Sequence, residues 1–168
     1  MSAFAVELPA WENRQREEAL LFNPAFLATL LAAAAADHER VSGSGLHWPL
    51  AFIVPALALY PDTRRELPAN TNARLVNWIS THPNVRAQLP PRARALAPYV
   101  RESARFGMRQ SALAFSGDRL HSSLDVATLR AQSSGEAAEC VTLAAFVGRW
   151  FTSVVDVASI YALFGVAP

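Results

Sequence analysis

The chain has 168 residues, of which 52% are hydrophobic and 17% are charged, and its formal net charge is +1. This composition excludes a disordered chain, and the length favours a single domain with its own core. All fifteen cations are arginines, so the sequence has no lysine for Schiff-base or Walker-type chemistry, and a GC-rich genome is sufficient to explain this bias.

Prolines and glycines divide the first half of the chain into short apolar segments, each of which predicts a helix. These helices are predicted over residues 10–22, 24–40, 48–60 and 72–81. Asn23 and Pro24 suit the cap and the first turn of the second helix. Pro55 is expected to bend or break the third helix, and Thr71 is expected to cap the fourth. The stretch 60–71 between them is interpreted as a connection.

The middle of the chain has the clearest amphipathic pattern. Residues 91–109 place apolar side chains on one side of a predicted helix, after a break expected at the "LPP" of 89–91, and Pro98 is expected to kink it. Arginines occupy a narrow arc on the other side of this helix; they are Arg94, Arg101, Arg105 and Arg109. The period then changes to that of a strand, and residues 111–122 predict a β-hairpin.

The last third of the chain returns to helical spacing after a polar loop. Helices are predicted over residues 126–130, 138–154 and 157–164. Asp156 is expected to cap the last of them and Gly165 to end it. The predicted fold class is mainly α with a small β-hairpin near 111–122, in one helical domain over residues 1–168. Since winged-helix domains also place a two-stranded wing after a helical core, a winged-helix-like domain fits this order.

Charge is distributed unevenly along the chain. The net charge is −4 over residues 1–63, +7 over 64–109 and −2 over 110–168. A basic middle with acidic flanks indicates a surface directed at something anionic. Three interpretations remain open: nucleic-acid phosphates, an acidic patch on a partner protein, and a solvated face that pairs with the acidic N-terminal helix of the same chain.

Eight residues are candidate contacts to a partner or to nucleic acid. They are Arg64, Arg65, Arg94, Arg101, Arg105, Arg109, Trp11 and Trp48. Arginine and the large aromatics are the residue types favoured at the centres of interfaces. A structural role competes with each assignment, because a tryptophan often belongs to the core and Arg64 and Arg65 are placed to complement a helix dipole.

The sequence lacks the motifs that would indicate catalysis. None of the four histidines has the i, i+4 spacing of a helical metal pair, and the H-E-x-x-H, G-x-S-x-G and phosphate-loop patterns are absent. Cys140 is the only cysteine, so we interpret it as a small core residue rather than a nucleophile. We therefore predict a protein that is not an enzyme and that has no metal and no cofactor.

The apolar runs do not meet the requirements of a membrane protein. Residues 20–36 and 48–60 are interrupted by prolines, and the second run is shorter than the roughly 20 residues that a span needs. The N-terminus lacks a basic region followed by an apolar stretch, so no secretory signal is predicted. With a lone cysteine, this favours a cytoplasmic protein without a membrane partner.

Six segments, taken in chain order, carry a family resemblance. They are "NPAFLATLLAAAA", "PLAFIVPALALYPDTRRELP", "NARLVNWISTHPNVR", "RARALAPYVRESARFGMRQSALAF", "GRWF" and "IYALFGVAP". Their order and spacing, from residue 11 to the C-terminus, resemble the middle component of bacterial three-component ABC systems.

The resemblance implies a small non-catalytic adaptor. Its partners would be an ABC-type ATPase related to the SMC and RecF ATPases of chromosome maintenance and repair, and a variable third component. Such systems are thought to act in antiviral defence against phages or mobile DNA, and DNA would be reached through the ATPase complex. The family has no agreed catalytic residues, so none are implied here. The alternative is a stand-alone winged-helix DNA-binding protein or regulator.

Overall fold

The structure is a computed structural model and describes residues 7–154 and 156–166. Its helices are α1 (Arg16–Leu21), α2 (Pro24–Ser42), α3 (Val54–Ala58), α4 (Pro61–Glu66), α5 (Leu75–Thr81), α6 (Pro83–Arg109), α7 (Val126–Ala131), α8 (Gly135–Phe151) and α9 (Val157–Phe164). Its strands are β1 (Leu46–His47), β2 (Leu113–Ser116) and β3 (Arg119–Ser122). Short 3₁₀ helices precede α1 and α3, at Trp11–Asn13 and Trp48–Phe52. The predicted fold class, mainly α with a small β-hairpin, is confirmed.

Helix α2 forms the centre of the core, and it starts as the sequence predicts. The Asn23 side chain accepts a hydrogen bond from the backbone N–H of Ala25 at 2.8 Å, and Pro24 takes the first turn. The helix runs past the predicted charged end and stops at Gly43, whose φ of 73° is left-handed. Helices α6 and α8 pack along α2, so most of its surface is buried.

The hydropathy of α2 is explained by this burial. By length and composition alone, Arg16–Ser42 contains a helix that is apolar enough to cross a membrane. In the structure the leucines of α2 and its alanines at 28 and 32–35 are covered by neighbouring elements, and Leu27, Leu30 and Leu31 are fully buried. A helix that is apolar on nearly all sides belongs in a core when other helices surround it.

The Asn23 cap leads to a direct prediction. We expect Asn23→Ala to lower the free energy of unfolding by about 1 kcal/mol, because the first N–H groups of α2 lose their acceptor. For a chain of this size that corresponds to about 2–4 °C in Tm, measured by circular dichroism. Asn23→Asp keeps an oxygen in place and should leave Tm almost unchanged. Equal Tm values for the Ala and Asp variants would contradict this role.

Helices α2 and α8 approach each other very closely. The Gly148 carbonyl on α8 accepts a hydrogen bond from Nδ1 of the buried His38 on α2, at 3.0 Å. Beside it, Nη1 of Arg149 donates to Oδ2 of Asp37 at 2.5 Å, and Asp37 also pairs with Arg40. Burial lowers the pKa of His38 and so favours the neutral ring, while the hydrogen bond to the Gly148 carbonyl partly opposes this shift. The contact between the two helices therefore combines close packing with buried polar pairs.

The hairpin predicted at 111–122 is present and belongs to a three-stranded antiparallel sheet. The strand order is β1-β3-β2, with Leu46 opposite Leu120 and Phe115 also opposite Leu120. Strand β1 has only two residues and is not predicted from the sequence. The hairpin directly follows α6, and Gly107 of α6 lies against Leu113 of β2.

The apolar run 48–60 is mostly buried and is broken close to Pro55, as the sequence predicts, but its first part is a 3₁₀ helix instead of an α-helix. It folds as the 3₁₀ helix Trp48–Phe52 followed by α3, and Pro55 lies in the first turn of α3. Proline is tolerated in a first turn because the N–H it lacks has no partner inside the helix. The predicted connection 60–71 is also wrong in part, since it contains α4.

The prediction of a helix break at residues 89–91 is wrong, because α6 contains these residues. The helix runs without interruption from Pro83 to Arg109, with Pro90, Pro91 and Pro98 inside it, so the break expected at 89–91 does not occur. Its buried face, which includes Leu89, Leu96 and Val100, packs on the core, and this packing outweighs the local cost of the prolines.

The cap predicted for α5 is wrong, whereas the cap predicted for α9 is right. Thr71 does not cap α5, which starts at Leu75 after Arg74 without a side-chain cap. The buried side of α5 consists of Leu75, Trp78 and Ile79. The Asp156 cap of α9 and its end at Gly165 are confirmed.

Candidate docking surface

The arginines of the basic segment 64–109 divide into an internal and an external group. Arg64 forms an ion pair with Glu136 at 2.5 Å, and Arg92 forms one with Asp62 at 2.8 Å. The other arginines of the segment have no ion pair among the residues that the structure describes, and all of them are exposed; they are Arg65, Arg74, Arg86, Arg94, Arg101, Arg105 and Arg109. Most of the positive charge of this segment is therefore presented to the outside.

Arg64 does not belong to a contact surface, contrary to the prediction. Its residue is only 8% exposed, and its guanidinium donates to the carbonyl of Leu59 at 2.8 Å as well as to Glu136. The same group lies 3.4 Å from the Sγ of Cys140, which is buried as predicted. Burial raises the pKa of the Cys140 thiol, so this cysteine is kept in its unreactive form. Arg64 joins α4 to α8 inside the fold.

The four predicted arginines of α6 lie on its exposed side. Arg94, Arg101, Arg105 and Arg109 are all exposed and follow one another at helical spacing. The guanidinium of Arg101 lies over the ring of Phe52, with its carbon 5.4 Å from the ring centre. Such a contact orients the cation while leaving its N–H groups free to bind an anion.

The acidic N-terminal segment docks on α6 without using this arginine stripe. Arg14 donates to both oxygens of Glu102, at 2.8 and 2.6 Å, and the Tyr99 hydroxyl donates to Glu18. The pKa of Tyr99 is raised to about 12 by burial and by this hydrogen bond, and the hydrogen bond to Glu102 raises the pKa of Arg14. The internal pairing between the stripe and the N-terminal helix is thus not seen among the described residues.

This docking brings Trp11 to the stripe. Trp11, Arg101 and Arg105 line a groove of about 530 Å³ whose other side is formed by residues 7–10. The Trp11 side chain is 42% exposed, and the guanidinium carbon of Arg14 lies 5.4 Å from its ring centre. Tryptophan and arginine are enriched at the centres of protein interfaces, and these two arginines form no ion pair within the part of the chain that the structure describes.

The half-buried Trp48 joins this surface through Phe52, over which Arg101 lies. Its ring contacts the rings of Phe52, at a centroid distance of 4.7 Å, and Phe115, at 5.1 Å. We name the combined surface the arginine–aromatic face. It consists of Trp11, Trp48, Phe52, Arg101, Arg105 and Phe115, with Arg94 and Arg109 continuing the stripe towards the two ends of the helix.

Two residues of this face were missed by the sequence analysis. Neither Phe52 nor Phe115 is among the candidate contacts predicted from the sequence. Phe52 is half-buried and its ring lies under the guanidinium of Arg101, and Phe115 on β2 is 37% exposed. Of the remaining candidates, Arg65 is exposed on α4 and makes none of these contacts.

The chemistry of this face suits the binding of a second macromolecule. Its arginines are cations, and the carboxylates that line the groove beside Trp11 are those of Glu7 and of Glu102, which pairs with Arg14. Its apolar groups are aromatic rings, of which Trp11 and Phe115 are exposed. Within residues 7–154 and 156–166 no three histidine, cysteine, aspartate or glutamate side chains come together in a way that could hold a metal ion. Carboxylates and apolar groups of a second macromolecule would complement such a surface.

Comparison with known proteins places the chain in a family. A family model described as "ABC-three component (ABC-3C) system Middle Component 3" matches residues 11–168. Searches of curated proteins and of solved structures gave no significant match.

Proposed function

Since the chain belongs to the family of Middle Component 3 of ABC-three component (ABC-3C) systems, we propose that it is the adaptor that joins the ABC-type ATPase of such a system to the third component. In this proposal it carries no catalytic activity and acts in the cytoplasm, in a defence against phages or mobile DNA. The ATPase is the partner that hydrolyses nucleotide and reaches DNA.

The observation that carries this proposal is the arginine–aromatic face. Arg101 and Arg105 have no carboxylate partner among the described residues, although Arg14, Arg64 and Arg92 elsewhere in the chain do. Unpaired arginines next to an exposed tryptophan are the combination that dominates binding energy in protein interfaces. We assign this face to an acidic patch on one of the other components.

Charge reversal of the face tests the proposal. We expect Arg101→Glu/Arg105→Glu to weaken binding of one component at least about tenfold, or 1.4 kcal/mol, because attraction to a carboxylate becomes repulsion. Binding is measured by calorimetry with the separately purified ATPase and third component. Arg130→Glu, an exposed arginine on α7, is the matched control and should bind normally. Unchanged binding of both components by the double variant would remove the face from the assembly.

A second function, that of a winged-helix DNA-binding protein, is favoured by one specific observation. The helix that carries the arginine stripe, α6, directly precedes the β2–β3 hairpin, and β1 adds a third strand to it. In helix-turn-helix proteins the corresponding helix lies in the major groove, and arginines there contact phosphates and base edges. Under this hypothesis the chain binds duplex DNA by itself.

The salt dependence of the affinity for duplex DNA distinguishes the DNA-binding function from the adaptor function. A protein that neutralises several phosphates loses affinity steeply as salt rises, with a log–log slope of about −0.9 per phosphate. Fluorescence anisotropy with a labelled duplex, measured for the isolated chain at several salt concentrations, gives this slope. Flat anisotropy at low salt would exclude the DNA-binding hypothesis and leave the adaptor proposal in place.

A further inference from the structure

A second concave surface of the chain shares no residue with the arginine–aromatic face. It is a groove of about 990 Å³ between α5, the first turn of α6 and the C-terminal helix α9. We name it the α5–α9 groove. Its lining includes Arg74, Val76, Ile79, Arg86, Val154 and Leu163.

The floor of the α5–α9 groove is apolar and open. Val76 is 54% exposed, although its neighbours Leu75 and Ile79 are buried in the core. Val154 and Leu163 pack against the core from the other side and are only partly covered. An apolar channel of this kind is where an amphipathic helix inserts side chains spaced at i, i+3 or i+4 and i+7.

The rim of the groove is basic. Arg74 precedes α5 and Arg86 lies in the first turn of α6; both are exposed and neither forms an ion pair among the described residues. The one carboxylate in the lining, that of Asp156, accepts from the N–H and the hydroxyl of Ser159, both at 2.8 Å, and caps α9. The two arginines are therefore not neutralised by a contact with it.

We propose that the α5–α9 groove binds an amphipathic helix of a second partner, a helix whose apolar side is flanked by carboxylates. This inference rests on the proposed adaptor function, because an adaptor needs two separate faces for two components. Apolar side chains of the partner helix fill the channel over Val76 and Leu163, and its carboxylates pair with Arg74 and Arg86. Two turns of such a helix span about 11 Å, enough to carry three anchoring side chains.

One short segment of the chain itself combines exposed leucines with a carboxylate, which makes self-association an outcome to be tested. Helix α1 carries Glu17 next to Leu20 and Leu21, which are 67% and 63% exposed. If α1 of a second copy filled the groove, the isolated chain would form a dimer, and Leu20→Ser/Leu21→Ser would abolish that dimer in the same way as a change in the groove.

The test compares two double variants that reverse the same number of charges. Arg74→Glu/Arg86→Glu changes the groove, and Arg101→Glu/Arg105→Glu changes the arginine–aromatic face. Each is mixed with the purified ATPase and with the purified third component of the same system, and binding is followed by calorimetry. Since all four arginines are exposed, circular dichroism should show both variants folded as the wild type.

We expect the groove variant to lose one component by at least about tenfold while it binds the other normally, and the face variant to show the reverse. Val76→Ser should weaken binding of the same component as the groove variant, by about threefold to tenfold, because the apolar contact is reduced.

A groove variant that binds both components like the wild type would overturn this inference. Wild-type chain that binds neither component would instead overturn the adaptor function. A dimer of the isolated chain that the groove variant and Leu20→Ser/Leu21→Ser both disrupt would also overturn the inference, since a second copy would then be the occupant.

Discussion

Gly148→Ala is expected to lower the free energy of unfolding by several kcal/mol, although the new side chain adds only one methyl group. A Cβ at this position would lie 2.1 Å from the carbonyl oxygen of Ala34 and 2.7 Å from its Cα. These atoms belong to the backbone of α2, so no rotamer change can remove the overlap. The two helices would have to move apart, which would open the tightest contact of the core and break the hydrogen bond from His38.

The expected loss of stability is opposite to the effect that helix propensity alone would have. In a helix, alanine is favoured over glycine by about 1 kcal/mol, so helix propensity alone predicts stabilisation. Overpacking of a rigid core costs about 1–3 kcal/mol or more, and here it acts on backbone atoms that cannot adapt. We expect the loss to exceed the gain by several kcal/mol, out of a total stability of about 5–15 kcal/mol.

Urea unfolding monitored by tryptophan fluorescence measures this effect. Gly43→Ala serves as the control, since a Cβ there meets no atom within 4 Å and only the left-handed φ of 73° is strained. That control should lose only about 1 kcal/mol. Ala34→Gly should not rescue Gly148→Ala, because the contacting atoms are not in the Ala34 side chain. A soluble Gly148→Ala protein with the wild-type unfolding midpoint would show that the two helices are not in this close contact.

The elements that the sequence predicted well are those whose signals are local. The Asn23 and Asp156 caps and the hairpin each depend on residues within a few positions of one another. The failures involve partners that are distant in the chain. Strand β1 exists because it pairs with β3, more than seventy residues later, and α6 continues through its prolines because the core holds one of its sides.

The residues of the candidate site follow the same rule: those placed by local sequence could be predicted, and those placed by distant contacts could not. The arginine stripe of α6 could be predicted because a single helix sets the direction of its side chains. The internal role of Arg64 could not be predicted, because its partner Glu136 lies 72 residues away and no residue near Arg64 in the sequence indicates this ion pair. The contact of Phe115 with Trp48 likewise joins two distant segments, and only the fold brings them together.

The segments that carry the family resemblance have structural roles in this chain. In "GRWF", Gly148 permits the close approach to α2, Arg149 pairs with Asp37, and Trp150 donates from its indole N–H to the carbonyl of Ala73 at 2.7 Å. In "NPAF", Asn23 and Pro24 begin α2. In this chain these segments serve the core and the start of α2, so the docking faces have to be found from exposure and charge instead.

Leu57→Asp is expected to abolish folding, whereas the same change at Leu59, in the same apolar run, is expected to leave the chain folded. Leu57 is 0% exposed and lies on α3, between α8 and α6, whereas Leu59 is partly exposed at the end of that helix. Removing a buried leucine side chain costs about 2–5 kcal/mol, and the buried carboxylate adds a desolvation penalty of several kcal/mol. The sum is comparable to the whole stability of a domain of this size.

Leu59→Asp should cost less, because its carboxylate can remain in water and only part of an apolar contact is lost. We therefore expect Leu57→Asp in the insoluble fraction after expression, and Leu59→Asp in the soluble fraction with a Tm lowered by about 4–8 °C for a loss of about 2 kcal/mol. The comparison uses the soluble yield and thermal unfolding of both variants. If Leu57→Asp were folded and soluble, the apolar run at 48–60 would have to lie outside the core, and the packing of α3 between α6 and α8 would be wrong.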